Sequence, residues 1–154
     1  MSFRFQETLG FHGGAAAGAG GGDGLAVGAV LDVATNDPNW GAWSARALAE
    51  VAEHATLMIN PIVYAEVSIG FSTIEALDAA IPAALYRREA LPWEVGFLAG
   101  KCVVQYRRRG GPRLSPLPDF YIGAHAAVSG FRILTRDPRR YRAYFPTVDL
   151  IVPT

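Results

Sequence analysis

Residues 115–137 read SPLPDFYIGAHAAVSGFRILTRD, and the order of elements in this stretch decides the fold class. Pro118-Asp119 starts a helix, because proline is tolerated in a first turn and a carboxylate is favoured beside the positive end of the helix dipole. Ile122, Ala126 and Ala127 fall on its apolar face, and Gly130 supplies the stop as a C-cap. Phe131 to Thr135 then reads as a strand, with Asp137 directly after it. Downstream, Pro138 to Tyr144 reads as a short helix and Val148 to Val152 as a last strand. Upstream, Pro92 opens a helix to about Arg107, and Ile74 to Ile81 forms a short one. Asn60-Pro61 is an N-cap followed by a first-turn proline, opening a helix through Tyr64, Glu66 and Val67. Leu57-Met58-Ile59 is a short second strand. Trp43, Ala47, Leu48 and Val51 recur at helical spacing between the turn at Asn36 to Asn39 and about Ala55. Leu25 to Ala34, LAVGAVLDVA, is a continuous apolar run with one acid, the pattern of a strand buried on both faces. Strand and helix alternate, so the expected fold is α/β, with one parallel sheet and helices on both faces.

The chain has 154 residues, of which 51% are hydrophobic and 18% charged, enough apolar material for the core of one domain. A largely disordered chain is thereby excluded. The lone Cys102 excludes an internal disulfide and a cysteine-built zinc site, and reads as a small buried hydrophobe. No apolar run approaches a membrane span and no signal peptide is apparent, so a cytoplasmic protein is the expectation. Residues 1–24 differ from the rest. Phe11 to Gly24 reads FHGGAAAGAGGGDG, which buries almost nothing, and residues 1–24 are expected to be a flexible leader before a domain at 25–154.

A net charge of zero hides a split. Residues 1–100 carry four basic groups against eleven acidic ones, and residues 101–154 carry ten basic groups against three acidic ones. Nine of those ten are arginines, whose planar fork suits phosphate, so a polyanionic partner on one face is one reading; mixing of the two halves on folding is the other. Arg107 to Pro118 (RRRGGPRLSPLP) is not regular structure, with two glycines and three prolines.

In a parallel sheet, ligands collect at the carboxyl ends of the strands. Glu66, Asp119 and Asp137 fall there. Acids distant in sequence that meet at one sheet edge repel each other unless a cation sits between them. Hard carboxylate oxygens suit magnesium or manganese, which can activate water against a phosphodiester. Ordinary alternatives stand beside this: a helix N-terminal carboxylate for Asp119, a turn residue for Asp137, and an exposed helix residue for Glu66.

The segments INPIVYAEVSIGF (59–71), SPLPDFYIGAHAAVSGFRILTRD (115–137) and YRAYFPTVDLI (141–151), in this order and spacing, resemble the PIN-domain ribonucleases of VapC-like toxin–antitoxin systems. The resemblance runs from about Leu25 to Pro153. It implies a three-layer α/β/α fold with a central, mostly parallel sheet and a magnesium (or manganese) site of acids at one sheet edge. It also implies endoribonuclease activity, restraint by a cognate antitoxin, and a toxin homodimer. By this resemblance Glu66, Asp119 and Asp137 are the catalytic metal ligands, and Thr135 takes the place of a supporting hydroxyl near the metal.

The departure is in the first strand. The family's pattern there is similar to VDxNVLLDV, whose first Asp is a central metal ligand. Alignment on Leu31-Asp32-Val33 puts Ala26 at that Asp and Gly28 at the Asn, and neither can ligate metal. If the strand continued to Asp32, that acid would lie ~20 Å further on, and Asp23 would need a fold-back of ~10 Å. A catalytically silent domain that only binds antitoxin or RNA is therefore the alternative function. Arg136 and Arg139, with Arg140 and Arg142, flank Asp137 and are candidates to steer phosphate. Arg107, Arg108 and Arg109, with Arg113, are candidates to track an RNA backbone or to receive an antitoxin segment. His125 reads as a packed or surface histidine with general base as the minor alternative. Trp40, Trp43 and Trp93 read as core or interface anchors.

Overall fold

The structure, a computed structural model, describes residues 23–26, 28–112 and 116–154. The expected leader, apart from its last two residues, and Arg113 lie outside them. The chain begins with β1 (Gly24–Ala26), α1 (Ala29–Ala34) and α2 (Gly41–His54), followed by β2 (Leu57–Ile59), α3 (Pro61–Ser68) and α4 (Ile74–Ala80). It continues through β3 (Arg87–Arg88), α5 (Trp93–Arg108), α6 (Leu117–Ser129), β4 (Arg132–Leu134), α7 (Arg139–Tyr144) and β5 (Leu150–Ile151). The strands form a sheet in the order β3-β2-β1-β4-β5, and each neighbouring pair is parallel. Helical connections between all of them follow from that, since parallel strands need a crossover rather than a hairpin.

The first expected strand is corrected. Leu25 to Ala34 is not one strand: β1 stops at Ala26, and Gly28 at φ 67° turns the chain into α1. Periodicity cannot separate a buried strand from a buried helix in a run of this length, and here the run is divided between the two. Ala29, Val30 and Asp32 are the buried residues of α1. A helix rises only ~1.5 Å per residue, so the distance argument that treated Asp32 as an extension of the strand does not apply. The edge strand Arg87–Arg88 has no counterpart in the sequence reading, because two exposed arginines carry no hydrophobic pattern. Arg107 and Arg108 are likewise not loop residues; they occupy the last turn of α5, where cations complement the helix dipole.

Local chemistry explains the other elements. Asn60 caps α3: its Oδ1 accepts from the backbone N–H groups of Ile62 and Val63 at 3.1 and 3.0 Å. Thr73 caps α4 through its hydroxyl, which accepts from Ala76 N at 3.2 Å. Gly130 closes α6 in the left-handed conformation at φ 72°. The core sits where Met58, Ile59, Ile133 and Leu134 of the central strands meet Phe120 and Ile122 of α6 and Leu98 of α5, all essentially solvent-free. Each such side chain contributes roughly 1.5–3 kcal/mol by burial. Aromatic edges lock α5, α6 and α7 together, with Tyr106–Phe120 centroids 5.9 Å apart and Phe120–Tyr144 centroids 4.9 Å apart. Phe145 packs directly over Gly123, so a Cβ there would run into its ring.

Cys102 is fully buried on α5, and burial pushes its thiol up to about 12. A thiol reagent such as DTNB should therefore label the native protein negligibly and react stoichiometrically only in denaturant. Gly123→Ala should lower stability by about 1–2 kcal/mol in urea unfolding despite alanine's better helix propensity, because overpacking against Phe145 outweighs it.

Candidate active site

The sheet has its switch point at β1: β2 lies on one side, β4 on the other. In open parallel sheets the crevice beyond such a point is where ligands bind. Gly28 follows β1 and Thr135 follows β4, and both line a cavity of about 150 Å³ at that place. Glu66, Asp119 and Asp137 line the same cavity, together with Arg136, Arg140 and Tyr141. Three acids spaced 53 and 18 residues apart in the chain thus reach one crevice, each by its own element. Glu66 comes from the middle of α3, Asp119 from the first turn of α6, and Asp137 from the link between β4 and α7.

They share a cavity without forming a finished ligand set. Among the described residues, no three Asp, Glu, His or Cys side chains stand as a group able to hold a metal ion. The two aspartates are turned onto arginines of α7. Asp137 Oδ1 accepts from Arg139 Nε at 2.8 Å and Oδ2 accepts from Arg139 Nη2 at 2.6 Å, a bidentate pair that holds the Asp137 carboxyl down at about 2. Asp119 Oδ2 pairs with Arg140, while its Oδ1 accepts from the Tyr141 hydroxyl at 3.3 Å. Glu66 has no ion pair among the described residues; partial burial and then the charge of Asp119 push its carboxyl above the usual range. Tyr141, buried beside both acids, is pushed upward and stays a neutral donor.

Thr135 is buried, and its hydroxyl accepts from Asp137 N at 3.2 Å. That bond shapes the turn which presents Asp137. Arg136 is partly exposed at the cavity wall and braced from behind. Its Nη1 lies 3.0 Å from Asp32 Oδ1 and 3.7 Å from Asp37 Oδ2, and its guanidinium covers the Trp40 ring at 5.8 Å. Asp32 is 2% exposed and its Oδ2 accepts from Ser44 Oγ at 2.8 Å. This pair ties α1 and α2 to the turn that carries Asp137. Sequence reasoning missed Asp32 and Tyr141 as site-building residues and read Arg140 as a phosphate-steering residue rather than as the partner of Asp119; opposite charge was the one available signal, and it names no partner.

Asp23 precedes β1 and pairs with Arg87 at 2.9 Å, at the amino end of the strand and away from the cavity. Ala26 is the last residue of β1, opposite Leu134 and two residues before Gly28. His125 is buried: Asn60 Nδ2 lies 3.2 Å from its Nδ1, and its ring meets Phe131 edge-on at 5.3 Å. Since the Asn60 oxygen is engaged in capping, its amide nitrogen donates and His125 Nδ1 accepts, which fixes the proton on Nε2. Burial lowers the His125 pKa, in keeping with a neutral structural ring rather than a base. Trp40 and Trp43 meet edge to face at 6.1 Å, and Trp93 is 95% exposed. Arg109 lies over the Tyr144 ring at 5.1 Å. A larger cavity of about 300 Å³ beside β2 and β3 is lined mainly by apolar atoms, and its charged groups Arg88 and Glu89 are already paired with Asp78 and Arg87. Among the described residues, no helix is long and apolar enough to cross a membrane.

No protein-family model matches the sequence, and no curated protein matches it. Solved structures do match the fold. VapBC2 from Rickettsia felis, bound to a DNA fragment from its promoter, superposes with a TM-score of 0.63 at 17% identity, covering 85% of this chain and 99% of that one. A toxin–antitoxin complex from Klebsiella pneumoniae gives 0.60 at 18% identity, covering 86% and 97%. Mycobacterium tuberculosis VapC20, a sarcin–ricin loop cleaving toxin, gives 0.61 at 15% identity, covering 79% and 95%. The chain therefore has the PIN-type fold of these toxin structures over most of its length.

Asp32→Asn should lower stability by about 1–2 kcal/mol in urea unfolding, because it removes the buried carboxylate that accepts from Ser44 and pairs with the partly exposed Arg136, which keeps only Asp37 at 3.7 Å. Arg142→Ala, on the exposed side of α7, should change the same midpoint by less than about 0.5 kcal/mol.

Proposed function

We propose that the chain is a metal-dependent endoribonuclease, the toxin of a toxin–antitoxin pair, built as a three-layer α/β/α PIN domain. The observation that supports it most is the arrival of Glu66, Asp119 and Asp137 at one cavity beyond the sheet's switch point. The donor set is oxygen only, which suits magnesium or manganese rather than a softer metal. Glu66, raised by burial and by Asp119, is the group a cation would relieve. The two aspartates meet the same need by turning from their arginines, whose side chains are 87% exposed at Arg139 and 43% exposed at Arg140. Exposed ion pairs of this sort are worth only ~0–1 kcal/mol and do not bar exchange. The residues therefore fit a hard divalent ion, with one acid fewer than the family's pattern.

Glu66, Asp119 and Asp137 would hold that ion, and Thr135 keeps Asp137 aimed at the cavity. When bound, the ion supplies Lewis-acid activation of water and of a phosphodiester. In this reading Arg139, released from Asp137, grips a phosphate beside the cut, and Arg107, Arg108 and Arg109 meet RNA further along. Arg136 serves differently: paired with Asp32, it braces the turn and adds positive potential at the cavity wall. A cognate antitoxin, a homodimer and a cytoplasmic setting belong to the same reading.

A second reading, a silent domain that binds antitoxin or RNA without cutting, is favoured by two observations. The residue at the end of β1 is Ala26, and both aspartates are already neutralised by arginines. The experiment that separates the two is RNA and DNA cleavage with and without magnesium. The nuclease reading expects magnesium-dependent cutting of RNA, lost by about 100-fold or more in Asp119→Asn, ~2.7 kcal/mol of transition-state stabilisation. Cleavage undiminished in Asp119→Asn rejects the metal site. No cleavage by the wild type, with strong cleavage by Ala26→Asp, establishes the silent reading.

A further inference from the structure

Arg140 is the second residue of α7 and lines the cavity that the three acids share. Its guanidinium is paired with Asp119 Oδ2. Asp119 Oδ1 accepts from Tyr141 at 3.3 Å, so both oxygens of this carboxylate already have donors from within the chain. The charge of Arg140 also acts on Asp137, where it adds to the stronger hold of Arg139. The arginine thus faces two of the three acids from one position, while Glu66 is left without an ion pair among the described residues.

A guanidinium and a divalent ion at the same carboxylate would stand within a few ångströms of each other, and like charges that close repel. Magnesium also requires short, near-octahedral contacts that a neighbouring planar guanidinium obstructs. We propose that Arg140 is a built-in counter-cation that competes with the divalent ion for Asp119, so that metal loading is an exchange in which the Arg140 side chain leaves. This inference rests on the nuclease reading and adds a control step to it. It gives the alanine at position 26 a counterpart: with one carboxylate fewer than the family's pattern, a single internal cation offsets a larger share of the remaining negative charge. Because the Arg140 side chain is 43% exposed, it has solvent to move into, and the exchange is reversible.

The test is manganese binding to the full chain without RNA, followed by EPR titration, with the magnesium-induced rise in Tm as a second readout. Arg140→Ala and Arg140→Gln should each bind manganese about tenfold more tightly than wild type, the equivalent of ~1.4 kcal/mol. They should also show a larger Tm rise at equal magnesium. Arg142→Ala, which removes the same charge from the same helix away from the cavity, should leave manganese affinity within about twofold. Equal or weaker binding by both Arg140 variants overturns the exchange while leaving the metal site standing. An equal gain in Arg142→Ala overturns it too, by reducing the effect to net charge. Absence of binding in wild type and all variants overturns both the exchange and the metal reading beneath it.

Discussion

Parallel pairing of β1 with β4 is the constraint on which the site depends. Ala26 stands opposite Leu134, so the two chains leave the sheet side by side, one through Gly28 into α1 and the other through Thr135 into the turn before α7. The backbone N–H of Thr135 still reaches β5, donating to Ile151 O at 3.0 Å, and beyond that point side chains take over. The Asp32–Arg136 pair, buried at its carboxylate end, joins them just past the strand ends, with Ser44 satisfying the second carboxylate oxygen and Trp40 flanking the guanidinium. A buried charge without partners would be costly, so this pair fixes which way both exits turn. Asp137 is thereby carried to the cavity by the element that follows Arg136, and Thr135 sets its angle.

The electrostatics of the crevice then follow from which groups are free to move. Asp32 is locked, and Arg136 with it. Asp119, Asp137, Arg139 and Arg140 are partly or largely exposed, and their pairs can exchange partners at small cost. Partial burial, and then the charge of Asp119, pushes the Glu66 carboxyl up, while the bond from Arg139 holds that of Asp137 down. The cavity therefore combines a fixed frame with a set of exchangeable charges. Such a division is what the proposed exchange of cations at Asp119 draws on.

Opposite charge in the two halves of the chain finds its explanation here in part. Arg136 from the basic half meets Asp32 and Asp37 from the acidic half, and folding mixes the two at that point. Arg139 and Arg140 instead neutralise acids of their own half. The arginines near the cavity are thus internally engaged in this structure, and a phosphate-binding surface would have to be made from them by rearrangement.

The sequence by itself determined the α/β alternation, the caps at Asn60 and Gly130, the buried state of Cys102, and the three acids that arrive at one cavity. These are local properties or motif residues: a cap needs only its own turn, Asp119 and Asp137 sit at a helix start and just past a strand end that the hydrophobic pattern marks, and Glu66 is carried by its motif. Tertiary structure decided the rest. Whether Leu25 to Ala34 is strand or helix depended on where the chain could turn, and Gly28 turned it after Ala26. The edge strand at Arg87–Arg88 exists because β2 offers a free edge, which no side-chain pattern records. Which arginine serves which acid was settled by packing, since charge gives sign but not address: Arg136 in the turn after β4 went to Asp32 of α1, and Arg140 of α7 went to Asp119 of α6, because these elements meet only in the folded chain.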